Sequence, residues 1–282
     1  MNHPTPPDWR HRLVARYCRS GEHPGRLRLI TLLKRLLGVS VVRTTVKAGV
    51  VMDLDDSDYV QREILFRGGY ELATLARYDA LLQDARGAVD FGAHMGLFTL
   101  RAARALALRD GRVFAIEPTP AHSVALLRNA ALSGLTNIEL CTAAVSDTPA
   151  LLRMIAPHAA NTGGSRLASG PVTGDLRAIP LHVPVLPAAE LAALIPPDCL
   201  DLVKIDVEGH EFNILRSLLA ATPRLPLDIL FEYKPVEFDY GPPETTLDWL
   251  RSLNYALLTI NGDPFDPTSS LPEDNLWAHQ LS

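Results

Sequence analysis

The stretch Val89-Asp90-Phe91-Gly92-Ala93-His94-Met95-Gly96 decides how this chain is read. An apolar run over 88–91 meets glycines at 92 and 96, and a helical pattern follows over 97–108, so a strand turns tightly into the start of a helix. Backbone N–H groups at such a turn let a ligand come close. The glycines are spaced G-x-x-x-G with His at 94, not G-x-G-x-x-G, so the pyrophosphate cradle of a dinucleotide enzyme is not spelled out. A G-x-x-x-x-G-K motif followed by Ser or Thr is also absent. Asp90, just ahead of the first glycine, repels phosphate and attracts an ammonium group.

Outward from this turn, short apolar runs alternate with helical patterns. Strands are expected over 88–91, 113–117, 138–145, 202–207 and 229–232, with helices over 97–108, 120–133, 210–219 and 245–253. Runs over 255–261 and 275–279 complete the set. The Pro-rich stretch 262–274 between them has no helical pattern for a crossover, so this last pair is expected to be antiparallel. The pattern predicts an α/β fold with a mostly parallel, doubly wound sheet and helices on both faces. Ahead of it, a strand over 50–54, a turn over 55–58 and helices over 59–66 and 70–82 are expected.

With 282 residues, 47% hydrophobic and 21% charged, the chain is neither disordered nor collagen-like. Cys18, Cys141 and Cys199 are odd in number and widely spaced, which fits a reducing compartment better than a disulfide framework or a zinc site. The net charge of -5 hides an asymmetry: residues 1–47 hold 10 Lys+Arg and 2 Asp+Glu, a charge of +8, and the remainder holds 17 and 30, a charge of -13. A basic helical arm over 1–47, two short amphipathic helices broken at 21–25, therefore precedes a body over 48–282. The apolar stretches 29–33 and 36–42 are too short for a membrane span or a signal peptide, so a soluble cytoplasmic protein is expected. The arm either packs on the body or makes a peripheral contact with an anionic membrane or a lipid-linked carrier. The acidic body argues against nucleic acid.

Glu117 closes the second strand, a little over twenty residues beyond the turn. A carboxylate there can accept both hydroxyls of a ribose. A cofactor with a ribose, an amino acid and no phosphate satisfies these features, and S-adenosyl-L-methionine is such a molecule. The bland alternative is that Glu117, followed by Pro118, caps the next helix.

Six motifs in order carry a resemblance. V-D-F-G-A-H-M-G at 89–96, A-I-E-P at 115–118, Asn129, A-A-V-S-D at 143–147, N-T-G-G-S at 161–165 and L-V-K-I-D-V-E-G-H-E at 202–211 resemble the FkbM-type family of S-adenosylmethionine-dependent methyltransferases. The family usually has Asn where this chain has His94, and often Ala at the position of His210. The resemblance implies a seven-stranded class I methyltransferase fold that usually methylates oxygen, with acceptors among sugars, polysaccharide units and natural products. It places Asp90, Gly92, Ala93 and Gly96 at the methionine end of the cofactor with His94 and Pro118 beside them, Glu117 at the ribose, and Val145, Ser146 and Asp147 at the adenine.

It also places Asp206 and Glu208 at the mouth of the fourth strand, with Lys204 on the same face as Asp206 and Glu232 at the end of the next strand. Methyl transfer needs an aligned nucleophile and a group that removes its proton, and Asp206 or Glu208 can be that base. Neighbouring carboxylates raise one another's pKa, which gives a base of useful strength, or they ligate a divalent metal; the metal-free route is the one expected. His210 is expected at the surface. The stretch 157–180, rich in Gly and Pro, is too long for an idle connector, and Asn161, Thr162, Ser165 and Arg166 in it suit a hydroxylated acceptor, with plain disorder as the rival reading. Two rival readings stand beside this one: a catalytically silent docking module, and a nitrogen methyltransferase, although the D/N-P-P-Y motif of the amino-methylating nucleic-acid enzymes is absent.

Overall fold

The basic arm folds into α1 (Trp9–Cys18) and α2 (Arg26–Leu37) in the computed structural model, which describes residues 4–21, 23–155, 166–167, 181–234, 243–267, 271 and 273–281. The Asp8 carboxylate caps α1 by accepting from Arg10 N and His11 N at 3.0 and 3.1 Å, and left-handed Gly38 closes α2. Both helices bury a stripe: Val14, Cys18 and Ile30 share one core cluster with Met95 and Leu100. The division expected after residue 47 falls inside a hairpin, where β1 (Val42–Thr45) pairs antiparallel with β2 (Val51–Leu54) around a bend at 47–49. The sequence reading leaves Val42 in the arm's apolar stretch; it becomes a strand because Val42 and Thr44 bury one face against the body.

Two helices then lead to the main sheet. Asp58 caps α3 (Tyr59–Arg67) through Gln61 N at 2.9 Å. At the start of α4 (Leu72–Leu81) the cap comes from the far end of the chain: the Glu273 carboxylate accepts from Ala73 N and Thr74 N at 3.0 and 2.8 Å. Glu71, in the capping position with φ 48°, turns its own side chain elsewhere.

The α/β alternation is realised as β3 (Gly87–Phe91), α5 (Leu97–Leu106), β4 (Arg112–Ile116), α6 (Pro120–Ser133) and β5 (Ile138–Cys141). Next come β6 (Ala144–Ser146), β7 (Ala150–Ile155), β8 (Arg166–Leu167), β9 (Leu181–Pro187) and α7 (Ala188–Ala192). The chain continues through β10 (Leu202–Ile205), α8 (Glu211–Ala221), β11 (Asp228–Glu232), α9 (Pro243–Ser252), β12 (Tyr255–Thr259) and β13 (Asn275–Gln280). Among the described residues seven strands form one sheet in the order β12-β13-β11-β10-β3-β4-β5, all parallel except β13, which runs antiparallel to both neighbours. The order reverses between β3 and β10, where a doubly wound sheet opens its ligand crevice.

Strand alternation decides which side chains reach that crevice. Val89 and Phe91, Val203 and Ile205, and Ile229 and Phe231 point into the core packed under α8 and α9, whereas Ala88, Leu202 and Leu230 point into the core under α4 and α5. Asp90, Lys204 and Glu232 continue the second set toward the strand ends. The run expected as one strand over 138–145 is split, because Ala144–Ser146 leaves the main sheet for a small one ordered β6-β9-β7-β8. Within the stretch expected as a substrate loop, Arg166 pairs through its backbone with β7. Asn161, Thr162 and Ser165 lie outside the described residues.

Candidate active site

The turn after β3 is built by three left-handed residues, Gly92, His94 and Gly96, at φ 83°, 49° and 99°. Gly92 N and Ala93 N both donate to the Ile116 carbonyl at 3.0 and 2.9 Å, tying the turn to the end of β4. A Cβ on Gly92 would lie 1.8 Å from the Asp206 carbonyl oxygen, so this glycine lets the ends of β3 and β10 converge. Asn129 braces the turn from α6 by donating to Met95 O at 3.2 Å while its oxygen accepts from Asp53 N at 3.0 Å.

A cavity of about 360 Å³ opens here at the strand ends, within the size range of small-ligand sites. Gly92, Ala93 and His94 form one wall. Glu117, Pro118 and His122 form the next, and Ala143, Ala144 and Val145 lie beyond them. Glu117 is pinned: Oε2 accepts from His94 N at 2.8 Å, and Oε1 accepts from Thr119 N at 2.8 Å with His122 Nδ1 at 3.4 Å. Burial alone would raise its carboxyl, but the His122 contact, the Thr119 N–H and His94 hold it below its ordinary value. The His94 and His122 rings meet edge to face at 4.0 Å, and burial, then His122, push His94 down to about 4, against the opposing pull of Glu117. His94 is therefore neutral at pH 7.

The opposite wall is charged. Lys204 Nζ, only 2% exposed, donates to Asp206 Oδ2 at 2.9 Å and sits 4.5 Å from the centre of the Phe98 ring. Burial disfavours its charge, yet the carboxylates of Asp206, Asp90 and Glu71 more than compensate and push its pKa up. Asp206 shows the counterpart effect: burial raises its carboxyl, but Lys204 and then Lys234 bring it below the ordinary value. The mutual raising expected for Asp206 and Glu208 is therefore outweighed at Asp206 by its ion pair with buried Lys204.

The raised carboxyls lie elsewhere. Burial, then the charges of Asp206 and Glu208, push Glu232 up to about 9 despite its ion pair with Lys234, and its Oε2 is buried without a hydrogen-bond partner among the described residues. Burial and Asp206 push Glu71 up to about 7, with Lys204 opposing. Asn275 donates to Glu71 Oε2 at 3.1 Å. Asp206, Glu208 and Glu232 each offer an oxygen within 4.8 Å of the others, a spacing a divalent cation accepts, although Asp206 Oδ2 and Glu232 Oε1 already bind lysines.

The start of α8 is held by Glu211, whose oxygens accept from Val207 N and Gly209 N at 2.9 to 3.2 Å. Glu208, in a left-handed conformation with φ 57°, is left at the cavity wall. Thus Gly92, Ala93, His94, Glu117, Pro118, Val145, Lys204, Asp206, Glu208 and Glu232 are brought together around one cavity. Four expected cofactor residues stand behind its wall. A Cβ on Gly96 would meet Leu100 and Leu126 at 3.1 Å, so this glycine serves the entry into α5. Asp90 is buried, with Oδ2 accepting from Thr99 Oγ1 at 2.5 Å, and acts on the site through the field it places on Lys204. Ser146 and Asp147 lie one step beyond the wall, because Ala143–Val145 supply it. His210, expected at the surface, lines the cavity and has its Nδ1 3.3 Å from Ser146 Oγ.

Tyr59, Tyr70, Glu71, His122 and Lys234 also line the cavity, and no motif announced them. The Y-E pair at 70–71 precedes a helix, and only the distant cap from Glu273 frees Glu71 to face inward. Lys234 carried a weak signal, since it follows the end of β11 at the spacing of one strand face.

Residues 90–257 match the Methyltransferase FkbM domain, more than half of the chain, and the chain belongs to that family of S-adenosylmethionine-dependent methyltransferases. Comparison with curated proteins finds no match. Among solved structures, the chain is similar to the precorrin-6y C5,15-methyltransferase of Geobacter metallireducens, with 15% identity, 76% of this chain and 89% of that one covered, and a TM-score of 0.42. Similarity to M. jannaschii TYW2 in complex with AdoMet is at 12% identity, 86% and 87% coverage and a TM-score of 0.43. A putative O-methyltransferase from Klebsiella pneumoniae follows at 14% identity, 76% and 81% coverage and a TM-score of 0.41. At such scores none of the three bears on the acceptor.

The residues present fit the family's cofactor. Glu71, Asp206, Glu208, Glu232 and Glu117 face one cavity against two lysines, an excess of acid that favours a ligand with sulfonium and ammonium charges over a phosphorylated one.

Proposed function

We propose that the chain transfers a methyl group to a hydroxyl of a sugar, polysaccharide unit or natural product. The observation that supports this reading is the group of carboxylates at the ends of β10 and β11, across one cavity from the turn 92–94. Glu117 would hold the ribose, the backbone of Gly92 to His94 and the Glu71 carboxylate the methionine end, and Ala143 to Val145 the adenine. When bound, S-adenosylmethionine supplies a methyl carbon made electrophilic by its sulfonium. Asp206, fixed and ionised by Lys204, keeps that end of the cavity negative. A cation in the cavity lowers the carboxyls of Glu71 and Glu232 and so favours their ionised forms when the site is loaded. Glu208 at the cavity wall, or Glu232 once its carboxylate turns toward the cavity, would take the proton from an acceptor hydroxyl.

The test is incubation with methyl-labelled cofactor and extracts of the source cell, followed by alkaline treatment of the labelled product. An alkali-stable methyl ether is expected. Label in a methylamine or in an alkali-labile ester overturns oxygen methylation of a hydroxyl; cofactor binding without any transfer favours a silent module. EDTA should leave turnover unchanged, and loss restored by magnesium or manganese would move the Asp206, Glu208 and Glu232 oxygens from proton transfer to metal ligation.

A further inference from the structure

We propose that the outer face of the N-terminal arm docks on an anionic lipid bilayer. α2 exposes Leu29, Leu32 and Leu36 at 47%, 51% and 73%, and their spacing of three and four residues sets them in one stripe along the helix. Arg28 and Arg35 are exposed beside that stripe. α1 adds exposed Trp9 and Leu13 with Arg12 and Arg16. Neither helix contains an Asp or a Glu.

Single exposed leucines are ordinary, but an aligned set flanked only by cations is a surface with a missing partner. The partner must be apolar and anionic at once. A bilayer interface supplies phosphate for the arginines and acyl chain for the leucines. The charge asymmetry adds direction: an arm of +8 is drawn to such a surface while a body of -13 is held off it. The inner side of α2 is already committed, through buried Ile30, the Lys34–Asp56 ion pair and Arg26 stacked 4.0 Å from the centre of the Phe66 ring. That ion pair fastens α2 three residues ahead of Tyr59, which lines the cavity. Docking through the arm would bring the methyltransferase domain to a surface where an acceptor carried on a lipid is available; this last step rests on the proposed function, and the docking does not.

The experiment is co-sedimentation of the full chain with phosphatidylcholine vesicles, with and without phosphatidylglycerol, at low and high salt. Binding to the anionic vesicles alone, weakened by salt, is the expected result. Leu29→Ser/Leu32→Ser/Leu36→Ser should weaken partition about tenfold or more, and Arg28→Gln/Arg35→Gln about 25-fold, at about fivefold per cation near the surface. Both variants should keep wild-type cofactor affinity, which shows that they fold. Equal partition to neutral vesicles, no partition to anionic ones, or wild-type partition of the leucine variant overturns the proposal. So does a dimer in solution that the leucine variant converts to monomer, since the stripe would then be a self-association face.

Discussion

Glu71 shows how one side chain acquires a role that its neighbours in sequence do not predict. Its helix is capped by Glu273, its backbone is left-handed at φ 48°, and its carboxyl, pushed up to about 7 by burial and Asp206, lines the cavity proposed to hold a cationic ligand. At pH 7 it is about half protonated, and a cation lowers its pKa. Cofactor binding should therefore release protons and strengthen as pH rises through 7. Titration calorimetry at pH 7 in two buffers of different ionisation enthalpy reads this directly: the apparent enthalpies should differ, and the difference should shrink in Glu71→Gln. S-adenosylhomocysteine, without the sulfonium charge, should release fewer protons. Identical enthalpies in both buffers would remove Glu71 from the cofactor site. Most of the charged wall of this cavity was legible, because Lys204, Asp206 and Glu232 lie at or just beyond the ends of apolar strands and alternation puts them on one face. Glu71, Tyr59 and Tyr70 were not, because they enter from helices that come before the sheet, and only the folded packing brings them there.

At the scale of the element, the two glycines of the turn after β3 look alike in sequence and do different work. Gly92→Ala drives a Cβ against the Asp206 carbonyl oxygen, and relief requires the ends of β3 and β10 to part. A loss of about 3 kcal/mol or more in urea unfolding is expected, together with loss of cofactor binding. Gly96→Ala meets two leucine side chains and a left-handed backbone, a cost of about 1 to 2 kcal/mol, and should leave cofactor affinity close to wild type. A Gly96→Ala protein of normal stability that no longer binds cofactor would return Gly96 to the methionine contact that the sequence suggests. The same contrast governs which strands were legible. β3, β4, β10 and β11 are mostly apolar on both faces, the mark of strands buried on both sides, with single interior charges at Asp90 and Lys204. β9 carries Pro184 and Pro187, and the apolar residues of β5 run on into β6, so neither β9 nor the β5–β6 break was visible. Pro184 fits because β6 pairs only with residues 185–187 of β9, so at Pro184 one side of the strand carries no ladder among the described residues.

At the scale of the whole molecule, the acid-rich cavity should mark the pH–stability profile of the protein assayed without ligand. Glu71 and Glu232 have folded pKa values of about 7 and about 9, above their ordinary 4.5. Over that interval the native state binds more protons than the unfolded chain, so their favourable contribution is complete below 4.5 and is lost as pH rises, through 7 for Glu71 and through 9 for Glu232. His94 works in the other direction at lower pH. Its folded value of about 4 lies below the ordinary 6.5, so stability falls as pH drops from 6.5 toward 4. Glu117 and Asp206, held below their ordinary values, lose their contribution only further into acid. Between pH 4.5 and 6.5 the two raised carboxyls outweigh the one depressed imidazole, so these signs place the maximum of the melting temperature at or just below pH 5, with a decline toward pH 9 that most proteins governed by depressed carboxyls do not show. Differential scanning fluorimetry across pH 5 to 9 checks it, and two controls locate the cause. Glu232→Gln, which keeps the shape and removes the titration, should flatten the limb between about pH 7 and 9, and saturating cofactor should raise the melting temperature more at pH 8.5 than at pH 6, because a bound cation stabilises the ionised carboxylates. A melting temperature flat from pH 6 to 9, or a cofactor shift of equal size at both pH values, would mean that the cavity's carboxyls do not set the stability of the ligand-free protein.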